Sequence, residues 1–406
     1  MRVRSLFIFA AVGALAAVAV IPAAAATPRA ASSNEILIGT MATETNPAAP
    51  GTKVTYGRDT LNAWAKTVNA AGGINGAKVK VEVIDDKNDP ATASAGIKKL
   101  IDDGAVAIVG YSAISTYPVW APIAGDAGVP IIGGGCYNIS GNGDKNFFCV
   151  TTTAVGDGLK AQVKYAADQG AKSFGITYAS DIPAAAGAAP LFKAFATAAG
   201  LEFTEAVGTT NTQPDYTAAC ITFKQANTTD VGIEGAPLLP NLARDCARQN
   251  FNPTWTSGDG QISQNAWLKD PNIKKAIAAV YSFPYMLTKG TTPEQTKSLK
   301  AYHTAMIKYA KNAFNSDNKQ PTTTTWTAAL AFGQAASTIP AGTAATPALI
   351  TAGMNSFKDE TLGGLAPNPM TFTAGQEHPH NSCWFGIVLK NHKLTAPQGM
   401  KTTCTP

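Results

Sequence analysis

Between Ile36 and Gly135 the chain alternates short apolar runs with longer stretches of helical spacing. Four runs, Ile36–Gly39, Val79–Ile84, Val106–Gly110 and Val129–Ile132, read as strands. In the second, Val79, Val81 and Val83 alternate with Lys80 and Glu82, the period of a strand with one wetter face. A first helix is expected from about Arg58 to Ala70, because Leu61, Trp64, Ala65 and Val68 recur at i, i+3, i+4 and i+7. Gly72 and Gly73 then stop it, since glycine enters the left-handed conformation at low cost. Asp85–Pro90 (DDKNDP) is turn chemistry, and Pro90 suits the first turn of a second helix with Ala93, Ile97, Leu100 and Ile101 inward. Strands separated by helices build a parallel sheet, which binds small molecules beyond its strand C-termini. Ser112, Ser115 and Thr116 follow the third run and fall in that position.

A second series begins near Thr153. Leu159, Val163 and Ala167 mark a helix, Phe174–Tyr178 a strand, and Leu191 and Phe195 another helix. Val231–Glu234 is a further strand, followed by a helix carrying Leu239, Leu242, Cys246 and Ala247. Long helical stripes return at Leu299, Tyr302, Met306, Tyr309 and Ala313, and at Trp326, Ala329, Leu330 and Gly333. Met370–Thr373 and Phe385–Leu389 close the chain as strands. No solenoid period and no long low-complexity linker interrupts this succession.

Composition narrows the class. Arg2 and Arg4 precede the apolar Ser5–Ile21, and Pro22–Ala26 offers a small-residue cleavage site, so residues 1–26 read as a signal peptide, with a single-span anchor as the alternative. The first cysteine is Cys136, so none stands at the cleavage site to carry a lipid. The 380 residues that follow residue 26 exceed one ordinary core, which points to two lobes. They carry 30 basic and 27 acidic side chains in no obvious runs, which argues against a nucleic-acid partner. Six cysteines fall into local couples: Cys136 with Cys149, Cys220 with Cys246, and Cys383 with Cys404. In an exported chain these read as disulfides rather than free buried thiols, each contributing about 3 kcal/mol on a chain-entropy account.

The succession IxIG, NAAGGING, KVEVIDDKNDP, VAIVGYSAIST, DAGVPIIGGG and TQPDYT resembles the solute-binding proteins of ABC importers, in particular the group for branched-chain amino acids, amides and urea. The resemblance implies an α/β chain with the two-lobed type I periplasmic binding protein fold. Each lobe is then a parallel sheet flanked by helices, with three crossover strands and a ligand held between. Lobe one would comprise residues 34–151 plus 284–364, and lobe two 152–283 plus 365–406. Crossings would lie near Cys149–Thr153, Tyr281–Pro284 and Leu365–Met370. By the same resemblance Ser115 and Thr116 hold a ligand carboxylate or carbonyl at a helix N-terminus, where unpaired N–H groups and the helix dipole favour an anion. Simple N-capping by these residues is the other reading. Gly135, Cys136 and Tyr137 would form a second anchor.

The expected lobe-two loops, Ser180–Pro183 and Gly235–Leu238, lack the aromatic residues usual in the amino acid binders. An acid that neutralises an α-ammonium maps to Asp259, with Asp157 and Asp181 as further acidic candidates. A less polar or non-amino-acid solute therefore remains open beside an amino acid, amide or other small organic acid. Neither a nucleophile with its base nor a dinucleotide or zinc-protease motif is present, so catalysis is not expected. His378 and His380 with Cys383 are read as a C-terminal loop rather than a metal site, and no cofactor is expected. The carboxylates of Asp85 and Asp86, like those of Asp102 and Asp103, are read as solvated turn and helix-end residues. Two functions fit: a monomeric receptor that delivers a small solute to an importer permease, or a sensory receptor on the same scaffold.

Overall fold

The computed structural model describes residues 34–47, 53–134, 145–151, 155–180, 183–210, 213–234, 239–258, 260–317, 319–376 and 381–404. The expected signal segment lies outside them. A first sheet is built from β1 (Glu35–Ala42), β2 (Lys78–Asp85), β3 (Ile108–Val109), β4 (Ile131–Ile132) and β5 (Phe147–Phe148), ordered β2-β1-β3-β4-β5 and parallel throughout. Helices α1 (Tyr56–Ala70), α2 (Pro90–Asp102) and α3 (Tyr117–Asp126) connect its strands. The sequence pattern explains the order. Strand β1 is apolar on both faces and buried after Glu35, as a central strand must be, whereas the alternating β2 forms the wetter edge. Gly73 is required where α1 turns back: its φ is 87°, and a Cβ there would lie 2.1 Å from the Ala77 carbonyl oxygen.

After α4 (Val155–Asp168), a second sheet takes β6 (Ser173–Ala179), β7 (Glu202–Thr209), β8 (Asp230–Glu234), β9 (Thr254–Ser257) and β10 (Lys275–Val280), all parallel, with helices α5 (Pro183–Ala198), α6 (Thr217–Gln225), α7 (Leu239–Arg248) and α8 (Asn265–Leu268) between them. The chain then leaves for α9 (Pro293–Tyr309), α10 (Lys311–Phe314) and α11 (Lys319–Ser337), which pack with α1, and α12 (Pro347–Asn355), which packs on α11. It returns as β11 (Cys383–Lys390), antiparallel to β10, with β12 (Lys393–Thr395) and β13 (Thr403–Cys404) paired to β11.

Several expectations are corrected. Met370–Thr373 is not a strand; Met370 makes only an isolated bridge to Glu360. Strands β5, β7, β9 and β10 have no counterpart in the sequence reading. In β10 the run Ala276–Val280 is alanine-rich, a weak strand signal by itself. It is buried between β9 and β11 with every residue after Lys275 in the core, so packing decides its state. Leu191 is exposed, and Ala188, Phe192 and Ala196 form the inner face of α5 instead. The stripe ending at Ala313 breaks at Ala310, whose φ of −139° ends α9.

Disulfides join Cys220 to Cys246 and Cys383 to Cys404. Cys149 is disulfide-bonded as well, and Cys136 lies outside the described residues. The first bond ties α6 to α7, and the second pins β13 onto the start of β11.

Asp230, at the amino end of β8, is 4% exposed, and burial pushes its carboxyl up to about 6 against the opposing hydrogen bonds of Thr229 and Thr254 and the charge of Lys275. A carboxyl raised above its unfolded value holds its proton longer in the folded state, so stability declines as pH rises through about 6 and recovers toward about 4. Asp230→Asn should flatten that slope and raise stability at pH ~8 by about 2 kcal/mol. Urea denaturation at a series of pH values reads this directly. A variant weaker than the parent at high pH would mean that Thr229 and Thr254 stabilise an ion.

Candidate functional site

The carboxyl edge of the first sheet is organised by DDKNDP, whose carboxylates have separate partners. Asp89 caps α2 by accepting from the Thr92 N–H at 2.7 Å. Asp85 accepts from the Thr45 hydroxyl at 2.6 Å and from the N–H groups of Glu44 and Lys87 at 3.0 and 3.1 Å. Burial alone would raise the Asp85 carboxyl, but the Thr45 hydroxyl and the surrounding amides outweigh it and hold the group below its ordinary range. Asp86 is 0% exposed, so the solvated reading of it is wrong. It accepts from the Thr43 hydroxyl at 2.7 Å, from the Asn88 N–H at 2.9 Å and from the Thr116 hydroxyl.

This places Thr116 differently from both expectations. Its side chain is 2% exposed and turns down to Asp86; it makes no side-chain capping bond to α3 and does not face outward. Thr116 thereby ties the start of α3 to the end of β2. Ser115 is exposed beside it, and Ser112 is half-buried, its N–H donating to Met41 O at 2.9 Å. The backbone N–H groups of Ser115 and Thr116 have no hydrogen-bond acceptor among the described residues. Two unclaimed amides at a helix N-terminus, with a serine hydroxyl alongside, can receive a carboxylate or carbonyl oxygen. The nearby cation is engaged: Arg58 Nη1 lies 2.9 Å from Glu44 Oε2.

Next to this edge Gly134 has a φ of 102°, and a Cβ on it would strike the Tyr111 ring at 2.3 Å. Tyr111 in turn sits in an aromatic cluster with Tyr117 and Trp120 under α3. Gly135, Cys136 and Tyr137, the expected second anchor, fall outside the described residues, as do Asp181, Asp259, His378 and His380. No group of three or more His, Cys, Asp and Glu among the described residues is placed to hold a metal ion.

Segments leading from one sheet to the other draw their carboxyl edges together. Asn381 Nδ2 donates to Thr151 O at 3.1 Å, both groups being buried. Gln320, at the start of α11, donates to Ser282 O and Phe283 O at 3.2 and 3.0 Å and accepts from the Tyr285 N–H at 3.2 Å. Gly260, past the end of β9, packs on Gln320, where a Cβ would lie 2.8 Å from Cγ.

On the second sheet, Asp157 is half-buried in the first turn of α4. Burial pushes the Tyr281 hydroxyl up, and the Asp157 carboxylate adds to this. The Tyr281 hydroxyl is buried without a hydrogen-bond partner among the described residues. Glu234, half-buried at the carboxyl end of β8 and opposite Tyr178 of β6, was not singled out from the sequence. Its position as the last residue of a short apolar run was the available signal, because that place in a parallel strand faces the ligand edge. The first sheet thus offers donors, and the second offers carboxylates and a phenol.

A family model described as periplasmic binding protein matches residues 35–393. An amino acid binding protein of Pseudomonas aeruginosa is 39% identical over 75 residues, which is 18% of this chain and 20% of that protein, so the chain aligns with about one fifth of this relative's length. Among solved structures, a leucine binding protein from Thermotoga maritima superposes with a TM-score of 0.65 at 14% identity, covering 89% of this chain and 97% of that one. An ABC transporter substrate-binding protein from Desulfitobacterium hafniense in complex with Leu gives 0.66 at 14% identity over 89% and 99% of the two chains. An extracellular ligand-binding receptor from Rhodopseudomonas palustris gives 0.66 at 18% identity over 89% and 99%. At such identities the likeness is one of fold.

Proposed function

The chain belongs to the periplasmic binding protein family, with the two-sheet α/β architecture of its type I members, and on that premise we propose that it is an exported receptor that captures a small solute and delivers it to an ABC importer. The first sheet and α9–α12 form lobe one, about 34–151 plus 284–364, and the second sheet forms lobe two, about 152–283 plus 365–406. The solute lies between their carboxyl edges, and closure about the crossing segments requires that it bind the closed arrangement more tightly.

The observation that carries this reading is the N-terminus of α3, where the amides of Ser115 and Thr116 have no acceptor among the described residues and Ser115 stands exposed. A carboxylate placed there gains charge-assisted hydrogen bonds. Asp157 and Glu234 on the opposite lobe suit an ammonium or amide N–H, so an α-amino acid engages both walls at once. This is a role for Asp157 and for Ser112, whose half-buried position lets its hydroxyl assist. The leucine bound by the Desulfitobacterium protein and the naming of the Pseudomonas relative support an amino acid as the first class to try.

A thermal-shift screen of the chain from Thr27 onward against amino acids, amides, urea and aromatic acids tests the assignment. A solute at about 100 times its dissociation constant should add ~2.7 kcal/mol of stability. Amino acids should give the largest shifts. If urea or aromatic acids stabilise the chain and no amino acid does, the lobe-two carboxylates do not contact the solute.

A further inference from the structure

The lysines that look dispersed in the sequence are gathered by α9 onto one exposed face. Lys297, Lys300, Ile307 and Lys308 recur at helical spacing and are exposed, while Leu299, Tyr302 and Met306 fill the opposite, buried side. A depression of about 590 Å³ carries Lys289, Lys297 and Lys300 with the hydroxyls of Thr291 and Thr296. A second, of about 470 Å³, shares Lys300 and adds His303, Ile307 and Lys308. Together they form one shallow groove that follows the helix.

Two properties separate this face from an ordinary solvated one. No carboxylate lines either depression, and among the described residues none of these lysines forms an ion pair. Lysines without an ion pair among the described residues are common on this surface, where Lys53, Lys99 and Lys164 are bridged, so it is the clustering without a lining carboxylate that matters. Within the basic strip, Ile307 is 55% exposed, more than Val119, Leu191 or Ile221, the other exposed large apolar residues described. Uncompensated like charges repel one another and are relieved by an anionic partner. From Lys297 to Lys308 the helix rises about 17 Å, the length of about five extended residues.

We propose that this groove is a docking site for an extended acidic segment of a partner protein, whose carboxylates meet Lys297, Lys300 and Lys308 while one apolar side chain covers Ile307. The concave shape suits a chain lying along the helix rather than a flat anionic membrane. The site is independent of the solute-binding edge, so it stands or falls apart from the transport reading.

The test uses a fluorescein-labelled peptide, Glu-Glu-Leu-Glu-Glu-Leu-Glu, titrated with the chain from Thr27 onward at low salt. Saturable binding is expected, at least about tenfold weaker near 300 mM salt and for a peptide with glutamine in place of glutamate. Lys297→Glu/Lys300→Glu/Lys308→Glu should weaken binding at least about tenfold with an unchanged melting temperature. Ile307→Ser should weaken it while leaving the salt dependence intact, and serves alone should the triple variant fold poorly. Absence of saturable binding, or equal binding by parent and charge-reversed chains, overturns the proposal. So does adsorption to phosphatidylglycerol vesicles without peptide binding.

Discussion

Replacing Asp86 with alanine is expected to cost about 1–3 kcal/mol of stability and to weaken solute binding with it. The carboxylate is fully buried and accepts from the hydroxyls of Thr43 and Thr116 and from the Asn88 N–H. Truncation leaves the buried Thr116 hydroxyl without its acceptor, which costs about 1–3 kcal/mol, whereas the half-buried Thr43 and the exposed Asn88 can turn to water. The change also releases Thr116, which ties the first residue before α3 to the end of β2. The amides that would receive the solute are carried on that segment, so geometry should suffer along with stability. Asp86→Asn retains an acceptor oxygen and should lose less. Urea denaturation and calorimetric titration of the two variants read both effects. A loss below about 1 kcal/mol for the alanine variant would show that the surroundings relax around the gap.

For Ser115→Asp the expected result is a loss of solute affinity of about a hundredfold or more, with little change in folding. Ser115 is exposed, so the substitution buries nothing, and an aspartate near a helix N-terminus is favourable to the helix. Its carboxylate takes the place and the amides that the solute's own carboxylate would use. Losing charge-assisted bonds worth about 1.5–3 kcal/mol each accounts for a change of that size. Ser115→Ala removes only one hydroxyl and should cost about tenfold or less. Equal affinity of parent and Ser115→Asp would place the solute's acid elsewhere, while an amide-type solute would lose less than an acid does. Thr116→Ala, by contrast, should act through stability, because its hydroxyl is a partner of Asp86 and points away from the edge.

How far each feature could be read follows from the range of the interaction behind it. Helices α1 and α2 were legible because their signals are local: an apolar stripe at 3.6 spacing, a glycine pair at one C-terminus, Asp89 and Pro90 at the other's start. The strands β1, β2, β6, β8 and β11 were legible for the same reason, and so was the place of Ser112, Ser115 and Thr116 after the third strand. The disulfides at Cys220–Cys246 and Cys383–Cys404 follow from sequence proximity. Strand β10 was hidden because its alanines are chosen by what covers them on both faces.

By itself, then, the sequence determined the alternation of strands and helices, the parallel sheets this implies, and the place of Ser112, Ser115 and Thr116 beyond the third strand, since these rest on periodicity and on caps and turns within a few residues. Tertiary structure alone decided what individual side chains do at that edge. Asp86 and Thr116 are 30 residues apart, and Asp86 and Thr43 are 43 apart, so only folding brings them together and turns a turn aspartate into a buried acceptor. Glu234 and Asp157 come near one edge because α4 packs on β8, and the lysines of α9 form a strip because the helix buries its other side. Local patterns report backbone state, whereas burial and charge pairing depend on neighbours distant in the chain.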